Sequence, residues 1–232
     1  MGREDMFPMI GCCCFRHFVS RGPPKLMTAA SKPRNFWFID TDLPEESPKG
    51  VVKVKKAPGK DVPIIIDFGS FQCRAGYGNE DMPALVFDEM VHRVADKDGQ
   101  VSFAFGRSAP PGTSKTSSRS PFDSGLVVHF TSAERTLDHI FETLKVTGSA
   151  VDHPIILSEP FANPEYIRHE FLEMLFEGYG VPKVAFTDDI LPSLRQNGIN
   201  TSLVVSFGNY FTTVSVVHNN KIEKFKRIDF GG

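Results

Sequence analysis

Two strand–turn–strand segments tipped by glycine hold the residues best suited to chemistry. The first is Ile66-Asp67-Phe68-Gly69-Ser70-Phe71-Gln72-Cys73-Arg74-Ala75-Gly76. The second is Val204-Val205-Ser206-Phe207-Gly208-Asn209-Tyr210-Phe211-Thr212. Turns this tight aim successive backbone N–H groups at one point, and that point attracts an anion such as a phosphate. An acidic side chain ending the preceding strand, Asp67 in the first segment, can hold the water shell of a divalent metal beside the anion. Taken singly, each segment fits a plain β-hairpin just as well.

The elements that would position these turns are legible around them. Val62-Pro63-Ile64-Ile65-Ile66 is a wholly apolar, β-branched run, as expected of a strand buried on both faces. Residues 133–144 place Ala133, Leu137, Ile140, Phe141 and Leu144 on one face of a helix. His153-Pro154-Ile155-Ile156-Leu157-Ser158 is a second buried-strand candidate. A longer helix is expected after it, with Asn163 as N-cap and Pro164 in the first helical position. Its inward face would be Ile167, Phe171, Leu172, Met174 and Leu175, and Gly178 or Gly180 would end it. Val184 to Phe186 and Leu203 to Val205 read as strands, with Thr212 to Val217 as the returning arm of a hairpin. Strands alternating with helices predict an α/β body.

Composition narrows the classes. The 232 residues are 41% hydrophobic with a net charge of -2, so total charge does not announce a nucleic-acid binder. No run of about 18 apolar residues occurs to cross a membrane as a helix. The charges are unevenly spread. Residues 1–60 hold 11 of the 26 basic and 6 of the 28 acidic residues, a local net of +5, which leaves -7 for the remainder. With seven of the 17 prolines, that stretch reads as a basic, largely disordered arm. It includes an aromatic island, Asn35 to Ile39, and Lys49, Lys53, Lys55, Lys56 and Lys60, which fit a solvated linker or could touch nucleic-acid phosphates. The adjacent Cys12, Cys13 and Cys14 lack the gaps of a metal site, and cysteine usage fits a reducing compartment. Gly2 with the cysteines invites a lipid anchor, but Met6 stands where that motif needs Ser or Thr.

The ordered set IDFGSFQCRAGYG, HPIILSEPFANPEYIR, LFEGYGVPKVAF and VVSFGNYFTTVSVV resembles the actin superfamily from about Pro63 to Gly232. That resemblance implies a ribonuclease-H-like mixed sheet flanked by helices, with residues 61–200 as the first lobe and 201–232 as the opening hairpin of an incomplete second lobe. It implies that the two turns clasp nucleotide phosphates, with Asp67, Gly69, Ser70, Phe71, Arg74, Ser206, Gly208 and Asn209 in the binding positions. Asp67 takes the metal-side carboxylate place and Asp189 the water-positioning place. Finer features, among them Arg119-Ser120-Pro121-Phe122-Asp123 and Val151-Asp152-His153-Pro154, are similar to a nuclear branch of the actin-related proteins. They imply a subunit of the Ino-eighty type chromatin-remodelling complex, acting in transcription regulation and DNA repair. Its expected location is the nucleus, with some in the cytoplasm. Its expected partners are the remodeller ATPase, a small partner subunit and, indirectly, nucleosomal DNA.

Departures from the family pattern argue against turnover. Phe71 replaces the second glycine of the first turn, which would strain the backbone if a positive φ were needed there. Arg74 replaces a phosphate-binding lysine and offers a planar fork in place of a point charge. Ser206 and Asn209 replace two carboxylates of the second turn, leaving Asp67 as the clear metal-side acid. The expectation is a structural subunit without catalysis, in which ATP or ADP with magnesium belongs to a full-length form. The alternatives are a weak ATP-binding protein or ATPase, and a cytoskeletal actin-like protein.

Overall fold

The computed structural model describes residues 58–231 except 97, 107–114 and 147, together with a short strand at 17–21. Strand β1 is His17–Arg21; residues 1–16 and 22–57 of the expected basic arm, with the triple cysteine and the aromatic island, lie outside the described residues, while Lys60 pairs with Asp152 at 2.5 Å.

The central sheet is mixed, in the order β11-β10-β2-β3-β4. Its strands are β2 (Ile64–Phe68), β3 (Gln72–Tyr77), β4 (Leu85–Asp88), β10 (Ile155–Glu159) and β11 (Val184–Asp188). β10 runs parallel to both β2 and β11, while β2, β3 and β4 form an antiparallel meander. β2 is buried along its whole length, as its continuous apolar run requires. Alternate residues Ile64, Ile66 and Phe68 enter one cluster with Ala133, Leu137, Ile140 and Phe141 of helix α1 (Phe130–Thr143) and with Ile167 and Phe171 of helix α2 (Glu165–Glu173). The other side chains of β2, Ile65 and Asp67, therefore share the opposite face.

Two helix boundaries differ from expectation. α1 begins three residues earlier, at Phe130. α2 begins at Glu165 with Pro164 as N-cap, because the Asn163 amide is drawn back to Glu159 Oε2 at 3.1 Å instead of capping the helix. Beyond α2 a π-helical turn, Met174–Gly178, carries the chain on and keeps Leu175 fully buried.

The segment 92–120, in which the sequence pattern marks no strand, holds strands. β5 (Val91–Ala95), β6 (Val101–Phe105) and β7 (Lys115–Arg119) form a small antiparallel sheet in the order β6-β5-β7. It docks on α1 through Phe105, whose ring stacks on His139 at 4.2 Å, and through Phe103, which lies under the Arg135 guanidinium at 5.0 Å. β8 (Phe122–Asp123) and β9 (Leu126–Val127) form a two-residue hairpin. Its corner residues Ser124 and Gly125 both have positive φ, 52° and 79°, the twist-matched form of such turns.

The second sheet runs β1-β12-β13-β14, all antiparallel, with β12 (Ser202–Phe207), β13 (Thr212–His218) and β14 (Lys221–Ile228). Val204 and Val217 pack on Ile190 and Leu194, the latter from the short helix α3 (Leu191–Gln196), in a second and smaller core. The predicted strands and hairpin of this region are thus present, extended by β14.

Candidate functional site

The first turn is built by the β2–β3 hairpin. Gly69 is required there: a Cβ on it would lie 2.7 Å from the backbone carbonyl oxygen of Gln72. Phe71 does not have a positive φ, so the strain that its side chain threatened does not arise. Its ring is instead 41% exposed at the tip, and its carbonyl accepts the backbone N–H of Glu89 at 2.9 Å.

Asp67 and Arg74 sit directly opposite each other across β2 and β3. Both are buried, and the guanidinium Nη1 lies 3.3 Å from Asp67 Oδ2. Arg74 Nη2 also donates to Gln72 Oε1 at 2.9 Å, and Gln72 Nε2 donates onward to Asp88 Oδ1 at 3.1 Å. On the other side of Asp67, the Ser158 hydroxyl donates to Oδ1 at 2.7 Å. Each Asp67 oxygen therefore has a donor within the protein, and the positive charge in the lysine-equivalent place faces inward. Ser158, Gln72 and Asp88 were given no site role from the sequence. The signal for Ser158 was present, since it is the polar residue at the carboxyl end of an apolar buried strand.

Asp189 follows β11 and is brought to the same end of the sheet, where the charge of Asp67 reaches it. Burial of its carboxyl, then the neighbouring Asp188 and more weakly Asp67, push its pKa up to about 7. Asp188 itself is occupied, with Oδ1 accepting the backbone N–H groups of Ile190 and Leu191 at 3.0 and 2.7 Å.

The second turn is formed by β12 and β13. Gly208 N–H donates to the Phe211 carbonyl at 3.0 Å and closes the loop. Ser206 is buried opposite Thr213, whereas Asn209 is exposed. The two sheets meet beside this turn. Phe211 packs so closely on Gly125 that a Cβ there would be 2.5 Å from the ring. Arg227 covers the other side of Phe211 at 4.0 Å and donates to the Ser124 carbonyl at 3.1 Å. Phe161 and Phe225 make a second bridge, with ring centroids 4.9 Å apart. A small apolar cavity of about 20 Å³ is lined by Phe68, Phe122, Leu157, Ser158, Phe171 and Phe186 among others. It is large enough for about one water. No cluster of three metal-ligating side chains occurs among the described residues.

A mixed sheet whose first hairpin presents a glycine turn, joined to a second sheet with a matching turn, is the arrangement expected of an actin-type lobe. A sequence model of the actin family matches residues 60–232, and the chain belongs to that family. Among its relatives are the actin-like protein arp5 of Schizosaccharomyces pombe, 38% identical over 178 residues, and actin-related protein 5 of Homo sapiens, 36% identical over 188. The matched stretch covers 74% of this chain in both cases, and 24% and 30% of the respective relatives. Actin-related protein 5 of Arabidopsis thaliana is 37% identical over 145 residues, covering 60% of this chain and 20% of the relative. The chain is therefore of the actin-related protein 5 type, and it spans less than a third of the length of these relatives.

Proposed function

We propose that this chain serves as part of a structural subunit of an Ino-eighty type chromatin-remodelling complex, in the nucleus, and does not turn over ATP. Similarity to actin-related protein 5 sequences supports the subunit class. One observation carries the non-catalytic reading: the Asp67 carboxylate is already bonded by Arg74 and Ser158. A magnesium–phosphate group would have to break that buried pair and draw Arg74 off Asp67 and Gln72 before the guanidinium could meet the phosphate, which is costly. Ser206 and Asn209 add no second carboxylate to hold the metal. In this reading any bound ATP or ADP is structural. The partners are the remodeller ATPase and a small subunit, with DNA contacted indirectly.

Titrating the 232-residue chain with Mg-ATP by calorimetry is expected to show no binding at micromolar nucleotide. Pull-down from nuclear extract is expected to recover the remodeller ATPase. Micromolar affinity together with single-turnover hydrolysis abolished by Asp67→Ala would replace this reading with the ATPase one.

A further inference from the structure

The corner between the central sheet and the small sheet contains a buried acid that the nucleotide-type site does not use. Glu89 stands between β4 and β5 and is only 3% exposed. Its Oε1 accepts the Thr136 hydroxyl of α1 at 2.7 Å, and the Cys73 thiol of β3 bonds to the same carboxyl. Its Oε2 is buried with no hydrogen-bond partner among the described residues. Its backbone N–H, as noted, holds the Phe71 carbonyl of the first turn. One residue thus ties together the turn, the central sheet, α1 and the first strand of the small sheet.

An uncompensated carboxylate oxygen in such a place is far more costly than a neutral carboxyl. We infer that this corner is a proton-controlled clasp: with Glu89 neutral the small sheet is held against α1, and when its proton leaves to solvent the clasp loosens. The titratable groups on the surrounding elements do not supply a counter-charge. Cys73 is a thiol kept protonated, its pKa raised first by burial and then by Glu89. Asp67 and Arg74, beyond Cys73, are paired with each other. On α1, Arg135 is engaged with Asp138, while burial lowers the His139 pKa and favours the neutral ring that stacks on Phe105. On β5, His92 is bonded to Ser118 and to the Gly106 carbonyl; Arg93 is exposed. Burial accordingly raises the Glu89 pKa from 4.5 to about 7, against the lowering influence of Thr136 and Cys73.

The sign follows from linkage. Between about pH 4.5 and 7 the closed corner binds a proton that the opened corner has lost, so each rise in pH through that window favours opening. Hydrogen exchange of the full chain, corrected for intrinsic rates, reads this directly. Opening at the backbone amides of β5 and β6 should rise at least about tenfold between pH 5 and pH 8, with β2 and β10 changing less. In Glu89→Gln the pH dependence should vanish, while Glu89→Ala should be open at both pH values. If Glu89→Gln does not fold, a protein that keeps Glu89 still decides. In Asp189→Asn, which removes the other carboxyl raised to about 7, infrared spectra at pH 6 should still show the carbonyl band of a protonated buried carboxyl, lost by pH 8 as β5 and β6 exchange accelerates. Equal protection of β5 and β6 at pH 5 and pH 8, or a pH dependence that persists in Glu89→Gln, would overturn the clasp.

Discussion

At the scale of single residues, the site is governed by an internal charge pair. Asp67 and Arg74 are both buried and face each other across one rung of the β2–β3 ladder. Taking two charges out of water is expensive, and their attraction offsets that cost only while both remain. Arg74→Met should therefore destabilise the protein by roughly 3–5 kcal/mol, because Asp67 is left buried without its counter-charge. Asp67→Asn combined with Arg74→Met should recover most of that loss, since neither charge is then stranded. Chemical denaturation of the two single variants and the double variant gives the coupling energy. Additive losses would show that the pair contributes nothing beyond its separate side chains. The same cycle bears on function, because a pair that strongly stabilises the fold is one that a phosphate-bound metal does not readily displace.

At the scale of elements, the first turn depends on the absence of one carbon atom. Gly69→Ala places a methyl 2.7 Å from a backbone carbonyl, and backbone cannot swing aside as a side-chain end would. Forced contacts of this kind cost about 1–3 kcal/mol. The variant should lose that much stability and show faster exchange at Gln72 and Glu89, on either side of the displaced turn. What the sequence conveyed about the elements follows the same physics. β2, β10 and α1 were readable because burial on both faces, or on one helical face, leaves an uninterrupted apolar pattern. β5, β6 and β7 were not, since their sheet is small and partly exposed. The Ser/Thr-rich run containing Lys115–Arg119 carries no apolar alternation to mark a strand. The π-helical turn was equally hidden, because Leu175 keeps the helical spacing expected of a continuing α-helix. Asp67 and the two glycine turns could be picked out by residue type. The inward turn of Arg74 depends on Asp67 and Gln72, and Asp67 is held in turn by Ser158, an arrangement that appears only when three strands are aligned.

At the scale of the whole molecule, two hydrophobic clusters of unequal size must be held together. The larger spans the central sheet, α1 and α2; the smaller rests on four fully buried residues around α3. Ser193, Ser202 and Ser215 hydroxyls lie buried in the smaller body without hydrogen-bond partners among the described residues, which weakens it further. Its attachment therefore matters, and the β8–β9 corner supplies much of it. Phe211 is sandwiched between the bare Cα of Gly125 and the guanidinium of Arg227, which reaches back to the Ser124 carbonyl. Gly125→Ala acts twice on this contact. The added Cβ meets the ring at 2.5 Å, and φ of 79° is a conformation that an alanine adopts only with strain. The variant should expel Phe211 and loosen β12, β13 and β14 while leaving β2 and β10 protected. Arg227→Ala, which keeps the corner unstrained, should produce the same pattern in milder form. Hydrogen exchange resolved by strand distinguishes this from general destabilisation. Loss of protection spread evenly over both sheets would mean that the two clusters unfold as one unit and that the corner is not their joint.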